Sequence, residues 1–330
     1  MSHNKSILYI GSPMVNYHKH IKDEFEKQGY QVDFFSDRPS ENPFIKGLIK
    51  IRKSSVNTVI ERYFNNIIDE IQNKKYDLVF IMNGKVYTPD MLKRLKNNQK
   101  EARFVLYLWD SLALYPHVKE LLPHFDSVFS FDSDDCDKNS LLKFLPLFYC
   151  KPYEEINKTK IGIVEYDIVS ICTTHPNRYR IIHELFPKLE ANGVKIFSYM
   201  YLHRLQYLYN KFFVNEFKRA KNNEFKFKPL SEEENVNMIR KSNAVFDIQH
   251  SKQSGLTMRT IETLGAGKKL ITTNEKIKNY DFYNENNIYI LDEHNQNGIK
   301  VFLCNQYEPL PDEIYKKYSL SSWIQNIIKS

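Results

Sequence analysis

The chain has 330 residues, enough for two ordinary domains and too many for one small core. Its 42% hydrophobic and 26% charged residues exclude a disordered or fibrous chain, and no run reaches the roughly 18 consecutive apolar residues that span a bilayer. A net charge of +7 favours an anionic partner (a phosphate, a nucleotide or a membrane surface) without choosing among them.

The first apolar run, SILYIGSP (6–13), ends in Gly11 and Pro13 and predicts a buried strand followed by a loop. No basic segment or long apolar core of a signal peptide precedes it, so a cytoplasmic protein is expected. HIKDEFEKQGY (20–30) predicts an amphipathic helix stopped by Gly29, and QVDFFSD (31–37) a second strand. VNTVIERYFNNIIDEIQNK (56–74) carries apolar residues at helical spacing. DLVFIMNG (77–84), RFVLYLWDS (103–111) and DSVFSFDSD (126–134) are three more short apolar runs, each closed by polar residues or glycine. This rhythm of strands and helices implies a parallel sheet with its loops at the carboxyl edge.

The rhythm breaks at YCKPYEEINKTKIGIVEY (149–166), a polar segment with Pro152, where a linker is expected at about 150–165. The pattern then restarts. Strands are expected at 167–174, 194–200, 224–230, 244–249, 268–273 and 287–291, and helices at 177–191, 231–241 and 311–329, the last as one or two pieces. The fold class is α/β: two tandem Rossmann-like parallel-sheet domains facing a cleft. The expected domains are 1–155 for an acceptor, 156–311 for a donor, and C-terminal helices at 312–330 that pack back on the first. Cys136, Cys150, Cys172 and Cys304 are far apart, with no CxxC pair and no histidine at metal spacing, which reads as free thiols in a reducing compartment.

The stretch QSGLTMRTIETLGAGKKLITTN (253–274) carries chemistry. Gly255 permits a close turn, and a helix starting near Leu256 or Thr257 presents unpaired N–H groups and the positive end of its dipole, which suit a phosphate. Arg259 and Glu262 are three apart and share a face. They are either a surface ion pair or a clamp in which Arg259 forks onto a phosphate and Glu262 accepts from ribose hydroxyls. Gly265 and Gly267 stop the helix. A second segment, SICTTHPNRYRIIHEL (170–185), follows the first strand of the second half. Thr173 and Thr174, His175, Pro176 and Arg178 stand there at the start of a helix, where Arg178 is either solvent-exposed or turned to the same phosphate. Phe227, Lys228, Pro229 and Leu230 are candidates to hold a base, or an ordinary strand end.

SGLTMRTIETLGAGKKLITTN resembles the donor-binding segment of GT-B glycosyltransferases, the broad group-1-like set of bacterial capsule and lipopolysaccharide enzymes. HPNR (175–178) is similar to the Pro-x-Arg loop of related transferases. The resemblance implies that Glu262 takes the ribose, and that backbone groups of Gly255, Leu256 and Thr257 meet the phosphates. Many members carry two glutamates eight positions apart; here the earlier position is Ser254, which leans the expectation towards inversion.

Inversion needs a general base at the acceptor hydroxyl. Asp110, ending FVLYLWD beside Trp109, is the first candidate, against the alternative that it caps a helix from Ser111. His18 is the second, and Asn83 and Asp132 are polar loop residues at the same edge. Consecutive acids in DSDD without an EF-hand pattern read as a solvated loop and helix cap, so no metal is expected. NPFIKGLIKIRKSS (42–55) and the basic, aromatic stretch 204–228 are either amphipathic helices covering their own domains or contacts with an anionic membrane. Diffuse charge and the lack of an RNA-binding motif argue against nucleic acid. The expected function is transfer of a sugar from a nucleotide-diphospho-sugar to a capsule or lipopolysaccharide acceptor, glycan or lipid-linked, with no cofactor, at the inner face of the membrane. The alternatives are a nucleotide-sugar 2-epimerase of the same fold and a non-catalytic nucleotide-sugar-binding partner protein.

Overall fold

The structure, a computed structural model, describes residues 5–13, 16–39, 53–159, 163–250 and 253–330. The chain forms two compact units. One comprises Met1–Leu147, Ser251–Gly255 and Leu320–Ser330; the other comprises Phe148–His250 and Leu256–Ser319.

The first unit holds a six-stranded parallel sheet: β1 (Ser6–Gly11), β2 (Gln31–Ser36), β3 (Leu78–Met82), β4 (Arg103–Leu108), β5 (Ser127–Ser130) and β6 (Leu142–Phe144), in the order β2-β1-β3-β4-β5-β6. β3 is buried at every position and β4 at all but Arg103, as strands covered by helices on both faces must be. Leu8, Ile10, Val79, Ile81 and Leu106 meet Phe64, Ile67 and Ile71 of helix Lys53–Ile71 and Met91, Leu92 and Leu95 of helix Pro89–Asn98 in one core. The closing helix, Leu320–Lys329, belongs to this unit. Its Trp323 ring lies edge-on to Tyr107 (4.7 Å) and Phe80 (5.8 Å), and Arg103 donates to its last carbonyls, Ile327 O and Ile328 O.

The second unit holds a five-stranded parallel sheet: β7 (Tyr166–Thr173), β8 (Ile196–Tyr201), β9 (Ser242–Asp247), β10 (Lys269–Thr272) and β11 (Ile288–Ile290), ordered β11-β10-β9-β7-β8. Ile168, Ala244, Phe246 and Ile271 pack with Ile182, Leu185, Phe186 and Leu189 of helix Pro176–Ala191. The order in which successive strands are added reverses once in each sheet, between β1 and β3 in the first and between β7 and β9 in the second. Open parallel sheets bind ligands outside the carboxyl ends of the strands at these switch points.

The α/β, twin-parallel-sheet expectation holds. Local differences have local causes. The expected linker contains a helix, Lys151–Thr159, hidden because only Tyr153 and Ile156 mark its buried face. EFKFKPL (224–230) is not a strand; one isolated bridge, Tyr201 to Lys226, is all the pairing it makes. β6 is three residues long, too short for an alternation to register. Of the basic stretch 42–55, residues 42–52 lie outside the described residues.

Candidate functional site

At the carboxyl edge of the first sheet, Asn83 and Gly84 follow β3 with φ of 65° each, a left-handed pair that Asn and Gly tolerate best. The turn aims the Asn83 amide at β4: its Oδ1 accepts from Trp109 N (2.7 Å) and Asp110 N (3.2 Å). Asp110 is thereby held at the strand end. Its carboxylate pairs with Lys85 Nζ at 2.5 Å and accepts from Gln253 Nε2 at 3.4 Å. Asp110 caps no helix; Leu112 N donates instead to Asp135 Oδ2 (2.7 Å). Lys85 was not singled out from the sequence, and its ammonium also lies over the Tyr115 ring. The Tyr17 ring meets Trp109 at 5.4 Å, whereas the neighbouring His18 packs on Phe34 of β2 at 5.1 Å. Asp110 and His18 therefore face different partners. A second unread cluster closes β1 and β2: buried Asp37 receives two N–H groups from Arg38, which also donates to Ser12 Oγ.

Asp132 is a structural staple. It caps helix Ser133–Lys138 through Asp134 N (3.1 Å), and its carboxylate accepts from Ser254 N (3.0 Å), Gly255 N (3.3 Å) and the Ser254 hydroxyl. Gly255, expected to meet a phosphate, gives its N–H to Asp132, and a Cβ there would meet the Phe131 ring at 2.6 Å. Ser254 is explained at the same time, since its hydroxyl and N–H hold the segment to Asp132.

In the second unit Thr173, Thr174, Arg178 and Thr257 lie where β7 and β9 end, at the switch point of the sheet. Arg178, in the first turn of helix Pro176–Ala191, donates to Ile248 O (2.9 Å) and Thr173 O (3.1 Å), so it ties the ends of both strands together. Thr174 is buried, with a hydroxyl that has no hydrogen-bond partner among the described residues. Helix Met258–Gly265 starts one or two residues later than expected, because Thr257 is its N-cap and its Oγ1 accepts from Thr260 N at 3.2 Å. The Thr257 hydroxyl also donates to Asp247, at the end of β9, as does Thr260. Asp247 is a buried carboxylate that sequence reading passed over because it looked like an ordinary strand end. Leu256 is buried beside this cap.

Arg259 and Glu262 pair at 2.9 Å with side chains 15% and 3% exposed, so the surface ion-pair reading is corrected. Arg259 also donates to Asn235 Oδ1 (3.1 Å), and Tyr153 hydrogen-bonds Glu262. Burial and then Glu262 hold the Tyr153 hydroxyl above its usual range. Burial pushes the Cys172 thiol up to about 11, while the charges of Arg178 and Arg259 both pull it down. The two arginines are thus felt at the same strand end. Lys228 is exposed, its carbonyl accepts from Tyr199, and it meets none of the others. Among the described residues no cluster of three His, Cys, Asp or Glu side chains is placed to hold a metal ion.

No protein-family model matches the chain, and no curated protein sequence is similar to it. Solved structures do match. A glycosyltransferase from Rickettsia africae superposes with a TM-score of 0.61 at 12% identity, over 99% of this chain and 98% of that one. The fold is GT-B-like. Anabaena HepE, solved with UDP and glucose, gives 0.59 at 11% identity over 99% of each chain. A UDP-N-acetylglucosamine 2-epimerase from Rickettsia bellii gives 0.58 at 10%, over 99% of this chain and 96% of that one.

Proposed function

We propose that the protein is a glycosyltransferase that takes a sugar from a nucleotide-diphospho-sugar and gives it to a surface-glycan acceptor. The observation that carries this reading is the cationic switch point of the second sheet, where Arg178 is latched to both strand ends and the buried Thr174 hydroxyl has no hydrogen-bond partner among the described residues. An unmade buried hydrogen bond costs about 1–3 kcal/mol, which a phosphate oxygen would relieve. In this reading Arg178 and the N-terminus of its helix take the diphosphate. Glu262 holds Arg259 in place for the nucleotide.

In the first unit, the Lys85–Asp110 pair is the proposed acceptor site. Asp110 takes the proton of the acceptor hydroxyl, that oxygen bonds to the anomeric carbon, and the bond to the diphosphate breaks with its electron pair leaving on phosphate. A thermal-shift screen of UDP-, GDP-, dTDP- and CMP-sugars tests the donor reading: at least one should raise Tm, and Arg178→Gln should remove that rise. Asp110→Asn should keep the shift while transfer falls by about 10²–10⁴-fold. Unchanged transfer rules Asp110 out as the base. Because 2-epimerases share the fold, the competing activity is checked directly: epimer formed from the sugar nucleotide without acceptor would replace the transferase reading.

The acceptor is proposed to be lipid-linked. Helix Arg204–Phe213 exposes Leu205, Leu208, Tyr209, Phe212 and Phe213, each at least 50% exposed, along one stripe, followed by exposed Lys218, Arg219 and Lys221. Such a stripe beside cations suits an anionic bilayer surface. Among the described residues no helix is long and apolar enough to cross a membrane. Vesicles containing phosphatidylglycerol should sediment the protein and pure phosphatidylcholine vesicles should not; Leu208→Ser with Phe212→Ser should weaken binding about tenfold or more. Equal sedimentation of the double variant removes this surface from the proposal.

A further inference from the structure

The second unit contains a cavity of about 410 Å³ at the opposite end of its sheet from the switch-point loops. Arg240, the last residue of helix Glu232–Arg240 before β9, and Lys268, the residue before β10, both line it. Asn157, Gln306 and Tyr307 add two amides and a hydroxyl, and Val164, 53% exposed, stands at the rim. The size falls within the roughly 300–1,000 Å³ of small-molecule sites.

Among the described residues the charges that line this cavity do not balance. Arg240 Nε is buried without an acceptor among the described residues. Lys268 Nζ donates to Arg240 O (3.0 Å) and Ser242 O (2.6 Å), which leaves the third N–H of its ammonium. Burial holds that ammonium below its usual range. Among the described residues no carboxylate lines the cavity, and those close in the chain to its lining are paired elsewhere: Glu165 with Lys241 (2.8 Å), Glu154 with Lys158 (2.6 Å), and Glu308 with the amides of Asn284 and Asn286. Arg240 and Lys268 are both half-buried, and part of the cost of desolvating such cations is relieved when an anion joins them.

We infer that this cavity is a second ligand site, distinct from the donor loops, for a small phosphorylated molecule bearing hydroxyls, with its phosphate on Arg240 and Lys268 and its body against Asn157, Gln306 and Tyr307. A sugar phosphate has this chemistry. The reading does not depend on the activity proposed above.

Isothermal titration of the full chain with glucose 6-phosphate, inorganic phosphate and glucose tests it. Glucose 6-phosphate should bind, inorganic phosphate should bind more weakly, and glucose should give no heat. Arg240→Gln, which removes the forked charge-assisted contact, should weaken glucose 6-phosphate at least about tenfold. Val164→Trp, which fills the rim without touching either cation, should do the same and decides alone if Arg240→Gln does not fold. Arg178→Gln should leave this binding unchanged, so failure at the donor loops and failure here are separable. No heat from either phosphate compound, retention within about threefold in Val164→Trp or in a folded Arg240→Gln, or loss in Arg178→Gln overturns the assignment.

Discussion

Glu262→Ala should lower the unfolding free energy by about 3–5 kcal/mol, seen as a fall in the urea midpoint at unchanged m. Glu262 is 3% exposed and its carboxylate is the charged partner of Arg259, so its removal takes away the counter-charge of a guanidinium that is itself 15% exposed. The cost is mostly that stranded charge, not the lost attraction. Replacing the pair together, Arg259→Met with Glu262→Leu, should therefore recover most of the stability, because two apolar side chains need no counter-ion. The double variant also separates fold from function: folded, it should still fail to bind the sugar nucleotide that stabilises the parent. A loss below about 1 kcal/mol for Glu262→Ala would mean the pair is hydrated, and nucleotide binding by the double variant would remove both residues from the donor site.

Trp323→Ala should cost about 3–5 kcal/mol, the range for deleting a large aromatic side chain from a packed core. Trp323 is 2% exposed, and its ring is edge-on to Tyr107 of β4 and Phe80 of β3. It anchors the last helix to the first unit, with the chain's other tryptophan, Trp109, left as a fluorescence reporter of unfolding in the same unit. A change under about 1 kcal/mol would show that helix Leu320–Lys329 contributes little to that unit's stability.

Strands were the most legible elements. LVFIM in β3 and FVLYL in β4 are continuous apolar runs because strands buried on both faces have no polar side to alternate with. Helix Lys151–Thr159 was not legible, since two apolar residues in a polar segment give too little periodicity. Of the candidate site, Arg178, Arg259 and Glu262 were readable because charged residues behind a turn at a strand end are unusual in a helix facing a core. Lys85 and Asp247 were not. Their importance comes from contacts with Asp110, Thr257 and Thr260 that depend on how strands and loops align.

By itself the sequence determined the α/β class and the recurrence of strand and helix, because period and composition are local properties that each segment carries alone. Only the tertiary structure decided which charges are paired and which are not. Arg259 and Glu262 are equally compatible, at three residues apart, with a solvated pair and a buried one, and packing against Asn235 and Tyr153 chose the second. Ser254 and Gly255 are tied to Asp132, over a hundred positions away in the chain, and Arg240 Nε is left without an acceptor among the described residues. Hydrogen bonds and desolvation act over a few ångströms in space, and distances of that kind exist only once the chain has folded.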